Sequence, residues 1–137
     1  MEYKKTYIQK VAWGDMDAFH HVNNTVYLKY FESARVQYFD SIPELAGFKG
    51  EEIPVLANIS CNFKKPVTYP DTLTLKVGVS EMGMASLKMS CEMHSPISGL
   101  SAIAECTIVL INRNTGKSVR IPALWRSAIE SIENRNF

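Results

Sequence analysis

Six side chains of types that commonly take part in catalysis lie within one short segment near the start of the chain. They are Asp15, Asp17, His20, His21, Asn23 and Asn24. A carboxylate can attack a carbonyl carbon directly or remove a proton from water, and a neighbouring imidazole can orient it. Asp17 is therefore a candidate nucleophile or general base. We expect Asp15 to be structural, as an acceptor for N–H groups of the same loop.

A helix start directly after this loop supplies a second kind of reactive group. Asn is among the best N-cap residues, so Asn23 is expected to accept a hydrogen bond from the N–H of Thr25 or Val26. The first-turn N–H of Asn24 then has no acceptor inside the helix. Because a helix N-terminus carries about half a positive charge, this N–H suits an oxygen on which negative charge develops.

The spacing of apolar residues predicts a helix over residues 25–40. Its main apolar face consists of Tyr27, Tyr30, Phe31, Ala34 and Tyr38. Further apolar residues lie on its other sides, and a helix that is apolar nearly all round is usually enclosed. Glu32 and Arg35 are spaced i to i+3, so we expect them to form a structural ion pair.

Beyond a connecting loop at residues 43–50, the apolar period changes from helical spacing to two. Alternation predicts strands over residues 55–63, 73–79, 87–93 and 100–111, in addition to a first strand at 3–12. Short turns between consecutive strands favour antiparallel pairing. Pro122 then precedes an amphipathic segment with Trp125, Ala128, Ile129 and Ile132, which predicts a C-terminal helix. The order predicts an α+β fold in which a curved antiparallel sheet wraps round a central helix.

Length and composition narrow the class of protein. The 137 residues are enough for one domain spanning 1–137, and 46% apolar with 21% charged residues is typical of a soluble globular fold. A net charge of +1 gives no field that would attract nucleic acid, and no apolar run approaches the roughly 20 residues of a membrane span. The polar first residues do not resemble a secretory signal, so we expect a cytoplasmic protein. The cysteines are three and far apart, which predicts free thiols rather than disulfides or a metal site.

The loop and the helix that follows it carry a family resemblance. The run WGDMDAFHHVNN at residues 13–24, continued by YLKYFESAR at 27–35, resembles the hot-dog-fold acyl-CoA thioesterases of the 4-hydroxybenzoyl-CoA thioesterase type. The resemblance implies hydrolysis of an acyl-CoA thioester to a carboxylic acid and free coenzyme A, with no cofactor. It also implies a homodimer whose sheets join edge to edge, often paired into a tetramer, with active sites at the subunit interface. Asp17 matches the catalytic acid of the family, and the N–H of Asn24 matches the donor that polarises the thioester carbonyl.

Several residues are candidates for binding the substrate. His20 and His21 could orient Asp17 or contact substrate, and many members of this family carry Gly where this chain has His20. Tyr27 is expected first in the core and second in the lining of the acyl pocket. Coenzyme A carries phosphate charges, for which Lys64 and Lys65 are the first candidates. Arg113, Lys117 and Arg120 form a second candidate set.

Three other functions fit parts of the pattern. The spacing of Asp15 and His20 resembles that of hot-dog enoyl-thioester hydratases, although Asp17 and Ala18 replace the Asn and Pro of that motif. A metal-dependent hydrolase could use the two acids and two histidines of the loop, but no spacing typical of a zinc site supports it. The third alternative is a non-catalytic module that binds acyl thioesters.

Overall fold

Five strands and two helices follow one another in the predicted order. The computed structural model describes residues 1–45 and 50–137, and part of the predicted connecting loop at 43–50 lies outside these ranges. The elements are β1 (Lys5–Lys10), α1 (Asn24–Asp40), β2 (Glu52–Phe63), β3 (Thr72–Met82), β4 (Ser86–Ser95), β5 (Gly99–Asn112) and α2 (Ala123–Glu133). A single 3₁₀ turn, Trp13–Asp15, lies between β1 and α1.

The five strands form one antiparallel sheet in the order β1-β3-β4-β5-β2. In β3, β4 and β5 alternate residues are buried against α1, as the period of two predicted. Val77 of β3 lies opposite Cys91 of β4, which in turn lies opposite Ala104 of β5, and all three are fully buried. The predicted α+β architecture, with a curved sheet round one helix and a C-terminal helix, is confirmed.

One side of α1 packs on the sheet, and the other side is exposed. The buried side includes Tyr27, Tyr30, Phe31 and Tyr38. Val36 is 46% exposed on the opposite side, so the expectation that α1 is enclosed on nearly all sides is wrong for a single chain. The reason is that a five-stranded sheet covers only the helix face turned toward it.

The predicted ion pair between Glu32 and Arg35 is also wrong. Within the described residues Arg35 forms no ion pair, and its guanidinium carbon lies 4.4 Å from the centroid of the Phe31 ring. Arg35 is buried toward the sheet, whereas Glu32 is exposed to solvent. The i to i+3 spacing did not bring the charges together because the apolar stem of Arg35 packs inward and places the cation over an aromatic face.

A buried hydrogen bond attaches α2 to α1. The Tyr38 hydroxyl donates to Oε2 of Glu133 at 2.5 Å, and the Val79 N–H donates to the same oxygen at 3.0 Å. Burial of the phenol raises the pKa of Tyr38, and the Glu133 carboxylate raises it further. Tyr38 therefore remains a hydrogen-bond donor at neutral pH.

The sheet has two free edges, β1 and β2. The 12-residue strand β2 carries exposed apolar side chains at Val55, Leu56 and Phe63. A long edge strand with exposed apolar residues is a surface that natural proteins usually cover. Among the residues described, no helix is both long and apolar enough to cross a lipid bilayer.

Candidate active site

The predicted reactive loop folds as a short hairpin. Met16 and Val22 form an antiparallel bridge, and inside it the Asp17 N–H donates to the His21 carbonyl at 3.0 Å. The His20 N–H donates back to the Asp17 carbonyl at 3.0 Å, which closes a four-residue turn. His20 has φ 61°, in the left-handed region that Gly adopts without strain. The loop therefore keeps a turn that suits Gly while carrying an imidazole at that position.

The carboxylate of Asp17 is half-buried within this hairpin. Its Oδ1 accepts the Phe19 N–H at 2.9 Å, a local bond typical of an Asp at the start of a turn. In the part of the chain that the structure describes, no donor bonds its Oδ2. The hydrogen bond to Oδ1 thus fixes the side chain, and Oδ2 remains available to act as a nucleophile or base.

The two asparagines form the start of α1 as predicted. Oδ1 of Asn23 accepts the N–H of Thr25 at 2.9 Å and the Thr25 hydroxyl at 2.9 Å. The N–H of Val26 bonds to the Asn23 carbonyl at 2.9 Å. Across residues 1–45 and 50–137, the N–H of Asn24 has no acceptor. It is a free donor at the positive end of a 17-residue helix.

Asp15 has the structural role expected of it. Its Oδ2 accepts the Ala12 N–H at 2.9 Å and the Tyr30 hydroxyl at 2.5 Å, and its carbonyl accepts the Asn23 N–H at 3.0 Å. Burial raises the pKa of Tyr30, and the carboxylate of Asp15 raises it further, so the phenol stays a donor. These bonds join β1, the loop and α1.

A cleft of about 240 Å³ opens between the start of α1 and the end of β2. It is lined by residues of these elements and their flanking segments: His21, Val22, Asn24, Tyr27, Phe63, Lys64, Lys65 and Pro66. The Tyr27 and Phe63 rings pack edge to face with centroids 5.2 Å apart. The backbone N–H groups of Lys64 and Lys65 donate to the Ser101 carbonyl at 2.8 and 3.2 Å. The cleft thus combines an aromatic wall, two lysines and the helix start.

The structure brings together five of the eight predicted site residues. His21, Asn24, Tyr27, Lys64 and Lys65 line the cleft. The other three are not part of its wall: Asp17 and His20 lie in the hairpin, and Asn23 caps the helix.

The second candidate set of basic residues lies elsewhere. Arg113 follows the last residue of β5. Ser101, whose carbonyl accepts the Lys64 N–H, lies near the beginning of the same strand. At about 3.3 Å per residue the two ends are roughly 35 Å apart along the strand. Within one chain, Arg113 and its neighbours therefore do not reach the cleft.

The geometry gives no support to two of the alternative functions. A hydratase would need Asp15 to act with His20, but Asp15 bonds Tyr30 and Ala12, and His20 is an exposed residue of the turn. A metal-dependent hydrolase would need clustered ligands. In the described ranges, no three His, Cys, Asp or Glu side chains are close enough together to hold a metal ion.

Comparison with known proteins identifies the family. The model of the thioesterase-like superfamily matches residues 11–129, which include the hairpin, α1 and all of β2 to β5. The chain belongs to this superfamily. The predicted family and fold are thereby confirmed, and the protein is a thioester hydrolase.

Individual relatives of this thioesterase agree with that assignment. The long-chain acyl-CoA thioesterase FadM of Escherichia coli is 26% identical over 125 residues, which cover 90% of this chain and 95% of FadM. The PA2801 protein of Pseudomonas aeruginosa is 30% identical with a TM-score of 0.84, covering 93% of this chain and 99% of that one. A Thermus thermophilus thioesterase, solved with coenzyme A and zinc, is 25% identical with a TM-score of 0.87 and covers 98% of both chains.

Sequence reasoning missed four residues of the candidate site. Val22, Phe63 and Pro66 line the cleft, and the Tyr30 hydroxyl donates to Asp15. Tyr30, like the other aromatic residues of α1, was predicted first as a core residue and second as lining of the acyl pocket, not as a partner of Asp15. No local pattern indicates its bond to Asp15, because the two residues are 15 positions apart and meet only when the hairpin folds onto α1.

Proposed function

We propose that this thioesterase hydrolyses an acyl-CoA thioester at the α1–β2 cleft, releasing a carboxylic acid and free coenzyme A. The Asn24 N–H donates to the thioester carbonyl oxygen, and Asp17 activates the attack on the carbonyl carbon. The observation that supports the proposal is a free N–H at a capped helix start, in the wall of a cleft with two lysines, where His21 and Val22 of the hairpin also line the cleft and Asp17 of the same hairpin has one unbonded carboxylate oxygen.

The Asn24 N–H favours the reaction because charge develops on the oxygen that it faces. Attack on the carbonyl carbon moves the C=O electron pair onto oxygen, and a fixed donor stabilises that oxyanion without having to reorganise. Loss of one comparable donor in other enzymes raises the barrier by roughly 3 to 4 kcal/mol. Asn23 acts by fixing the helix start that presents this donor.

Asp17 fits two chemical routes. As a nucleophile, its free oxygen forms a bond to the carbonyl carbon and the C–S bond breaks, giving a mixed anhydride and coenzyme A thiolate. Water then cleaves the anhydride and restores the carboxylate. As a general base, Asp17 takes a proton from water while the water oxygen attacks, and the thiolate leaves after the tetrahedral intermediate collapses.

The lysines and the aromatic wall suit different parts of the substrate. Lys64 and Lys65 suit the phosphates of coenzyme A, and Tyr27 with Phe63 suits the acyl group. His21 lies in the wall where it can contact the thioester, and His20 lies at the turn beside Asp17. The Thermus relative that was solved with coenzyme A supports this class of ligand.

The test is a substitution that removes the charge of Asp17 and keeps its size. For an acyl-CoA that the wild type hydrolyses, Asp17→Asn should lower kcat by at least about a hundredfold, as expected for loss of a general base. Release of free thiol measures turnover across acyl groups of graded length, aliphatic and aromatic. Asp71→Asn is the matched control, since Asp71 is also half-buried and bonds Ser95 and Thr72 rather than the cleft. It should retain wild-type turnover.

Three results would contradict the proposal. Full activity in Asp17→Asn would remove Asp17 from the mechanism. Tight acyl-CoA binding without turnover across the whole panel would indicate a binding module. Loss of the conjugated double bond of an enoyl-CoA without thiol release would indicate a hydratase.

We further propose that two copies pair through their β2 edges, as a homodimer or a dimer of such dimers. The unpaired edge and the exposed Val55 and Leu56 support this assembly, since antiparallel pairing of two β2 strands satisfies the edge and covers the apolar side chains. The cleft ends at Phe63 on the same strand, so the partner would lie next to it.

The two edges of the sheet provide a matched test of this assembly. Leu56→Lys places a charge on β2, and Ile8→Lys places one on β1, where Ile8 is 63% exposed. Sedimentation should show that Leu56→Lys weakens association while Ile8→Lys leaves it unchanged. A monomeric wild type would refute the assembly. It would not bear on the proposed chemistry, which the Asp17→Asn variant tests separately.

Free cysteines are consistent with a reducing compartment. Cys61, Cys91 and Cys106 form no disulfide, and burial raises the pKa of the Cys91 thiol to about 12. We therefore propose that the protein acts in the cytoplasm. Detection of the native protein in the cytosolic fraction, with all three thiols reduced, tests this location.

A further inference from the structure

Tyr30 contacts the catalytic loop from the buried side of α1. The residue is only 4% exposed, and its ring packs edge to face with Tyr27, with centroids 6.3 Å apart. Its hydroxyl extends from the core and donates to Oδ2 of Asp15 at 2.5 Å. Because the ring is packed in the core, it holds the hydroxyl in one position.

The Asp15 acceptor connects three segments that must keep their relative positions. Its carboxylate bonds Ala12 at the end of the β1 segment, and its carbonyl bonds the N–H of Asn23 at the helix cap. Asp17 follows two residues later, and Asn24 follows the cap. The Tyr30 bond therefore lies where the loop that carries Asp17 is attached to the helix that carries the Asn24 N–H.

We propose that Tyr30 is a positioning residue of the thioesterase, which through Asp15 sets the placement of the Asp17 carboxylate relative to the Asn24 N–H. This inference rests on the function proposed above and adds a residue that does not touch the substrate. Because catalysis depends on alignment of the reacting atoms, a shift of about 1 Å in the loop is expected to cost up to about a hundredfold in rate.

The same helix contains a matched control. Tyr38 is a buried tyrosine that donates to a carboxylate, Glu133, at the same 2.5 Å distance, but it joins α1 to α2 rather than to the loop. Tyr30→Phe and Tyr38→Phe each remove one hydroxyl and one such bond. General loss of stability is therefore common to both variants, and displacement of the loop is specific to Tyr30→Phe.

The experiment compares kcat, KM and melting temperature of both variants with wild type. Tyr30→Phe should lower kcat by tenfold to a hundredfold with KM changed by less than about threefold, since the cleft wall remains. Tyr38→Phe should keep kcat within about twofold at a similar loss of melting temperature. Asp15→Asn, which retains an oxygen acceptor for Tyr30, should lose less activity than Asp15→Ala.

Equal kcat values in the two Phe variants would overturn the inference. Hydrogen exchange provides a readout that does not require turnover. The N–H groups of Ala12 and Asn23 should exchange faster in Tyr30→Phe and not in Tyr38→Phe, and unchanged exchange would also refute the role of Tyr30. A wild type without thioesterase activity would instead refute the proposed function, while exchange would still decide whether Tyr30 holds the loop.

Discussion

Substitutions at Asn23 can separate the stability of the helix start from its catalytic role. Asn23→Ala removes the acceptor for the Thr25 N–H. Loss of an Asn cap costs about 1 kcal/mol in unfolding free energy. For 137 residues, an unfolding entropy of about 290 cal/mol/K converts this to a melting temperature lower by about 3 °C. Turnover should fall as well, because the Asn24 N–H is less firmly directed.

Asn23→Asp should have the opposite effect on stability and a larger effect on turnover. A carboxylate is an equally good cap, and its charge interacts favourably with the helix N-terminus, so the melting temperature should not fall. The same charge lies next to the N–H that faces the developing oxyanion. Two unit charges about 5 Å apart repel by roughly 3 kcal/mol at an effective dielectric constant of 20. This is about a hundredfold in kcat.

The assay is thermal unfolding together with thiol release for Asn23→Ala, Asn23→Asp and Asn23→Ser. The Ser variant keeps a neutral cap, so it should lose little stability and the least turnover of the three. The account predicts that Asn23→Asp is the most stable of the three and the least active. If Asn23→Asp turned over as fast as Asn23→Ser, the start of α1 would not face the oxyanion, and the reasoning would be refuted.

Three further predictions concern other parts of the molecule. Tyr30 and Tyr38 have folded pKa values above their ordinary value of 10.0, so each contributes stability that is complete below pH 10 and is lost above it. Urea unfolding should show little decline up to pH 9 and, above pH 10, a decline that approaches about 1.4 kcal/mol per pH unit for each phenol, and each Phe variant should reduce it. Replacing Lys64 and Lys65 together by Ala should raise KM for an acyl-CoA about tenfold and leave KM for an acyl-pantetheine unchanged, because the latter lacks the nucleotide phosphates. His20→Gly should leave the melting temperature unchanged or raised, while His20→Val should lower it by several degrees, because φ 61° is strained for a β-branched residue.

Local patterns predicted most of the fold and the hydrogen bonding at the start of α1. The period of two located β3, β4 and β5, and the helical spacing located α1 to within one residue at its start. The cap at Asn23 and the free N–H at Asn24 followed from helix termini alone. These features depend on residues close together in the chain, where spacing carries the information.

Features that depend on tertiary contacts could not be predicted in the same way. The Arg35 side chain packs over Phe31 because the sheet covers that face of the helix. The i to i+3 spacing alone had instead favoured an ion pair with Glu32. The cleft joins Asn24 to Phe63 and Lys64, which are about forty positions away. The bond from Tyr30 to Asp15 likewise requires the hairpin to fold onto α1.

The placement of a bound thioester analogue tests the central claim most directly. A crystal structure with an acyl-CoA analogue, in which a methylene group separates carbonyl and sulfur, would locate the carbonyl group. The account predicts its oxygen within about 3 Å of the Asn24 nitrogen. It also predicts an Asp17 oxygen within about 3.5 Å of the carbonyl carbon, or one water between them. A carbonyl bonded elsewhere, with Asp17 farther away and no bridging water, would contradict it.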